Sequence, residues 1–99
     1  MFEENIPDTI GNAKVICYAV VNLCLPTANT RHFVKGELQG PAYGMAICQY
    51  KPNGGYYLFR CNDKWIEFAD TWHETVEDAK DQAEYEYAGI YENWNLIPL

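Results

Sequence analysis

Two turn signals, Lys51-Pro52-Asn53-Gly54 and Asn62-Asp63, cut an aromatic-rich stretch into three strand-length pieces. Asn, Asp and Gly tolerate positive φ, so turns this short join antiparallel neighbours. The pieces, Tyr43–Tyr50, Gly55–Cys61 and Lys64–Ala69, predict a meander over residues 43–69. Lys14–Leu25, rich in Val, Ile, Tyr and Cys, predicts a fourth strand. Its two sides, Val15/Cys17/Ala19/Val21/Leu23 and Ile16/Tyr18/Val20, are both apolar, as expected of a strand covered on both faces.

Residues 75–88 have helical character. Thr75 can cap the start, and Glu77 and Asp78 suit the positive end of the dipole. Val76, Ala79, Ala83 and Tyr87 recur at helical spacing, and Gly89 follows where a left-handed residue ends a helix. The expected fold class is therefore α+β. An antiparallel sheet of about four strands (meander 43–69 plus strand 14–25) carries one C-terminal helix (75–88) on one face. At 99 residues the chain makes one domain. Residues 1–13 read as a loose lead-in, and 26–42 as a long loop holding Arg31, His32 and Lys35, with room for a short strand near His32–Val34. The tail, through Ile90, Trp94, Leu96 and Ile97, is expected to fold back over the core.

The turns also predict a register. A four-residue loop at 51–54 sets Cys48 against Tyr57 and Ala46 against Phe59. A two-residue turn at Asn62-Asp63 sets Phe59 against Ile66 and Tyr57 against Phe68. One face then carries Gly44, Ala46 and Cys48, small enough to admit the Ala79/Ala83 stripe of the helix. The other carries Met45, Ile47, Tyr56, Leu58, Arg60 and Trp65. So large an apolar face calls for internal cover, a second copy of the chain, or another protein. Arg60 and Trp65, as opposite neighbours, would be its anchors.

Net charge is −7, from 14 acidic and 7 basic side chains, which disfavours binding to a phosphate backbone. Nine of the acidic residues, and only Lys80 among the basic ones, lie between Glu67 and Glu92. Glu77, Asp81 and Glu84 fall on or near one exposed helix side, with Tyr85 and Tyr91 nearby. Carboxylates mixed with aromatics suit a basic protein partner. A solvated helix face is the plainer account.

The remaining chemistry is sparse. Cys17, Cys24, Cys48 and Cys61 form no C-x-x-C pair and read as buried, reduced thiols. His32, His73 and the cysteines lack the spacing of a zinc site, so neither metal nor cofactor is expected. Asp70 and His73 could do acid–base work between the last strand and the helix, although Trp72 and His73 also read as core and helix entry. The acidic residues before the apolar run at Val15–Leu25, and its shortness, fit a cytoplasmic chain that neither spans nor is exported across a membrane.

Ala46-Ile47-Cys48-Gln49-Tyr50, Gly55-Tyr56-Tyr57-Leu58-Phe59, Asp70-Thr71-Trp72-His73, Glu77-Asp78-Ala79 and Gln82-Ala83-Glu84-Tyr85-Glu86-Tyr87 together resemble small bacterial proteins of unknown function, over residues 43–94. More loosely, a compact acidic domain with exposed aromatics is similar to the immunity proteins that neutralise bacterial toxins. That resemblance implies a non-enzymatic protein-binding domain directed at a basic toxin such as a nuclease. Two other readings stand beside it: a homodimer joined through Met45, Ile47, Leu58 and Trp65, and a small enzyme or ligand-binding domain using Asp70, His73 and the 26–42 loop.

Overall fold

The computed structural model describes residues 6–21, 25–26, 33–34, 37–38 and 41–97. It is an α+β fold. The strands are β1 (Thr9–Ile10), β2 (Ala13–Val20), β3 (Leu25–Pro26), β4 (Phe33–Val34), β5 (Glu37–Leu38), β6 (Gly44–Gln49), β7 (Tyr56–Cys61), β8 (Glu67–His73), β9 (Tyr87–Ala88) and β10 (Asn95–Leu96). One α-helix, α1 (Val76–Glu86), precedes a 3-10 turn at Ile90–Asn93. The main sheet runs β1-β2-β6-β7-β8, antiparallel throughout, with β10 also on β2.

The lead-in is more ordered than expected. Gly11 and Asn12 both have positive φ (56° and 72°), the requirement of a tight type I′ turn, and they close the β1–β2 hairpin. The short strand anticipated near residue 34 is Phe33–Val34, paired with Glu37–Leu38. Arg31, His32, Lys35, Leu23 and Cys24 lie outside the described residues.

The first turn of the meander sets the anticipated register: Cys48 opposes Tyr57, and Ala46 opposes Phe59. The second does not. Phe59 opposes Asp70 and Tyr57 opposes Trp72, so the third strand begins later than expected. The cause is local. Asn62 Oδ1 accepts from the backbone N–H groups of Lys64 (2.8 Å) and Ile66 (3.1 Å), and Asn62 N donates to the Ile66 carbonyl (3.0 Å). Residues 62–65 become a wide turn with Trp65 at φ 59°, and the strand proper starts at Glu67.

Two buried clusters lie on opposite faces of the sheet. One joins Cys17, Ala19, Val21, Met45, Ile47 and Leu58 to Ala79, Ala83, Tyr87 and Ile90. The other holds Ala13, Val15, Ala46, Cys48, Phe59, Cys61 and Trp65. The helix therefore covers the bulky face, and Ala46 and Cys48 lie on the far side from Ala79 and Ala83. The expectation of small residues meeting small residues is overturned. Packing density explains the outcome: alanines leave room between helix and sheet, which the large side chains fill. A bulge between Val15 and Cys17 corrects the strand reading too. Strict alternation would put these two on one side, but the extra residue sends Val15 to one cluster and Cys17, Ala19 and Val21 to the other.

The tail closes the fold in part as expected. Ile90 is fully buried in the helix-side cluster, Trp94 packs against that cluster and Ile97 against the other, while Leu96 is exposed. Among the described residues, no helix is long and apolar enough to cross a membrane.

Candidate functional site

Ala79, Ala83 and Glu86 form the buried stripe of α1. A carboxylate at this depth needs a counter-charge. Arg60, fully buried on the bulky sheet face, supplies it. Its Nε donates to Glu86 Oε1 (3.1 Å) and its Nη2 donates to Glu86 Oε2, making a bidentate pair. Nη1 donates to the Leu58 carbonyl (2.9 Å) and to Thr71 Oγ1 (3.0 Å), and Gln82 Nε2 donates to Glu86 (2.8 Å). Helical spacing of Ala79, Ala83 and Glu86 was the available sequence signal for this pair. Pairing the face with a partner protein obscured it.

The network continues outward. Arginine can only donate, so the Thr71 hydroxyl that accepts from Arg60 is free to donate to His73 Nε2 (2.7 Å), and His73 Nδ1–H donates to Asp78 Oδ2 (3.0 Å). Thr71–His73–Asp78 has the connectivity of a nucleophile, base and orienting acid. Its surroundings oppose that use. Thr71 Oγ1 is engaged by Arg60, and the adjoining open depression of about 300 Å³ is lined by His73, Asp78, Asp81, Gln82 and Tyr85, without Thr71. Both ring nitrogens of His73 are occupied, and the network ties strand to helix. The expected Asp70–His73 pair is not formed. Residues three apart on a strand face opposite ways, and Asp70 lies opposite Phe59 whereas His73 lies opposite Tyr56.

The acidic helix residues divide by role. Thr75 caps α1, accepting from Asp78 N (3.0 Å). Glu84 accepts from the backbone N–H groups of Gly89 (2.9 Å) and Tyr91 (3.0 Å), so it anchors the turn after the helix. The Tyr91 hydroxyl donates to Glu77, a bond that holds the phenol proton and raises the pKa of Tyr91. Asp81 is exposed on the rim of the depression, next to the half-exposed Tyr85. Glu77, Asp81, Tyr85 and Tyr91 thus share the outer side of the helix region, while Glu84 is chiefly structural.

Three other expected contact residues are relocated. Arg60 is 0 % exposed and Trp65 is 5 % exposed, so neither can anchor a partner. Tyr56 is half-buried against the helix-side cluster. Trp65 is also on the other face from Arg60, packed edge-to-face with Tyr18 (5.8 Å) and Tyr43 (5.9 Å). Because Met45, Ile47 and Leu58 are fully buried beneath the helix, the dimer surface proposed through them and Trp65 is not available.

The far face supplies residues the sequence reading did not assign. Trp72, expected in the core, is 53 % exposed there, with its indole N–H donating to the Gly54 carbonyl (2.9 Å). Tyr50 is similarly exposed and meets Tyr57 edge-to-face at 5.2 Å. Burial first, then the neighbouring Asp70 carboxyl group, raises the pKa of Glu67.

Cys17, Cys48 and Cys61 are free and buried. Burial pushes the Cys17 thiol up to about 11 and Cys61 to about 12, and raises Cys48 as well, so thiolate chemistry is suppressed at neutral pH. Among the described residues, no group of three or more His, Cys, Asp or Glu is placed to hold a metal ion. No family model, curated protein or solved structure matches the chain.

Proposed function

We propose that this chain is a non-enzymatic protein-binding domain of the immunity type, which neutralises a basic toxin such as a nuclease by covering its cationic active site. The observation that carries this reading is the outer surface of α1. Glu77 and Asp81 stand there with exposed Tyr85 and Tyr91, beside an open depression walled by further polar side chains. Carboxylates accelerate and orient encounter with a cationic protein, and tyrosines contribute contact area at low entropic cost. Thr75 and Glu84 support the surface by holding the two ends of the helix.

Retrieval of partners on the immobilised protein at low and high salt tests this. A basic protein is expected at low salt and released at high salt, since rim charges act through screened attraction. Its retention is expected to fall by at least about tenfold in Glu77→Lys/Asp81→Lys, as like-charge contacts disfavour docking. Recovery of no basic protein at low salt, or unchanged retention by the double variant, overturns the reading.

A further inference from the structure

Among the described residues, no helix or further strand layer lies over the β7–β8 end of the sheet face away from the helix. Tyr57 opposes Trp72, Phe59 opposes Asp70 and, beyond a bulge between Arg60 and Cys61 that turns Glu67 to the same side as Asp70, Cys61 opposes Glu67, so all six side chains share that face. Phe59 is the buried floor. Above it, Tyr50 leans on Tyr57 at 5.2 Å and on Phe59 at 6.5 Å. Tyr50 and Trp72 are each about half exposed, and the Trp72 ring is fixed by its bond to Gly54. Beside these rings stand the carboxyl groups of half-buried Glu67 and exposed Asp70. Among the described residues, no lysine or arginine forms an ion pair with either. Among the described residues β8 is also the last strand of the sheet, with no strand paired to its outer edge.

Aromatic faces attract a planar cation, and two adjacent carboxyl groups can accept its hydrogen bonds in one plane. The same carboxylates repel phosphate, which argues against a nucleic-acid base on the rings. We propose that this face docks an extended, arginine-bearing segment of a protein partner along β8. The guanidinium stacks on the exposed aromatic surface of Tyr50, Tyr57 and Trp72, with its charge met by Glu67 and Asp70. This surface is separate from the outer side of α1 and does not depend on the toxin-neutralising reading.

The test is an NMR titration of the full chain with a capped hexa-arginine peptide, with hexalysine and hexaglutamate for comparison, at low ionic strength. Shifts are expected at the Trp72 indole N–H and the amides of Gly54, Asp70 and Thr71. Hexa-arginine should bind several-fold more tightly than hexalysine, because only guanidinium stacks and bridges carboxylates in one plane. Glu67→Gln/Asp70→Asn should weaken binding by about tenfold or more, and Trp72→Ala should act in the same direction. Glu92→Gln, an exposed carboxylate in the 3-10 turn at Ile90–Asn93 and part of neither surface, should change it by less than about twofold. Shifts centred on His73, Gln82 and Tyr85, equal binding by the Glu67/Asp70 variant, or no saturable shift with hexa-arginine would each overturn the proposal. The salt-dependent retrieval described above is judged on the helix variants, so either idea can fail alone.

Discussion

The two faces of the sheet solve the same packing problem with different materials. On one, a helix with an alanine stripe lies on Met45, Ile47 and Leu58, and its one buried carboxylate is neutralised by Arg60. On the other, a turn residue, Trp65, drops onto Gly44 and fills the space, leaving Tyr50 and Trp72 half exposed. An element of regular structure carries its own hydrogen bonds into the interior and can bring a polar group along if a partner awaits. A single turn can supply only a ring. The helix side is thereby sealed, and surface left for contact gathers on the outside of α1 and at the β7–β8 end of the other face.

The sharpest way to break this contrast is to remove one member of the buried ion pair. Glu86→Leu strands the Arg60 charge and is expected to cost about 3–5 kcal/mol, read as a lowered urea midpoint. Arg60→Met combined with Glu86→Leu should recover most of that loss, because an apolar pair of similar volume removes the desolvation cost. Equal loss in the single and double variants would mean that shape, not charge, governs the contact.

The second test falls on the turn-filled face. A Cβ on Gly44 would lie 2.4 Å from the Trp65 ring. Gly44→Ala is expected to cost about 1–3 kcal/mol through overpacking and to alter the near-ultraviolet circular dichroism of the Trp65 environment. Trp65 offsets a left-handed backbone, worth about 1–2 kcal/mol of strain, by burying a large ring, worth at most about 4–6 kcal/mol at typical areas. A neutral Gly44→Ala would show that the ring has somewhere else to go.

The smallest effect belongs to Glu67. Its pKa is raised in the folded state, so the folded protein holds this proton more tightly than the unfolded chain does. Its contribution to stability is full below the unfolded carboxyl range and is lost as pH rises through the folded pKa. Glu67→Gln should therefore stabilise the protein at neutral pH, by a few tenths of a kcal/mol, and this gain should vanish in acid. Thermal melts across that pH range would read the difference. A destabilised variant at neutral pH would mean that the carboxylate has a favourable partner.

Local chemistry was legible wherever neighbours in sequence decide the outcome. Thr75 caps the helix, and the turn at 51–54 sets Cys48 against Tyr57. The candidate surface was readable in part: Glu77, Asp81 and Tyr85 follow from helical spacing in an acidic stretch, whereas Tyr91 reaches Glu77 from the 3-10 turn beyond the helix. Trp72 was not, because its exposure depends on where β8 begins, and that is set by Asn62 reaching two amides across a wide turn.

The sequence by itself determined the alternation within each strand and the stripe along the helix, because these periodicities belong to the backbone. Which sheet face the stripe would meet was a tertiary decision. It turned on filling volume between alanines and large side chains, on the bulge that reverses β2 after Val15, and on Glu86 reaching the buried arginine that could neutralise it.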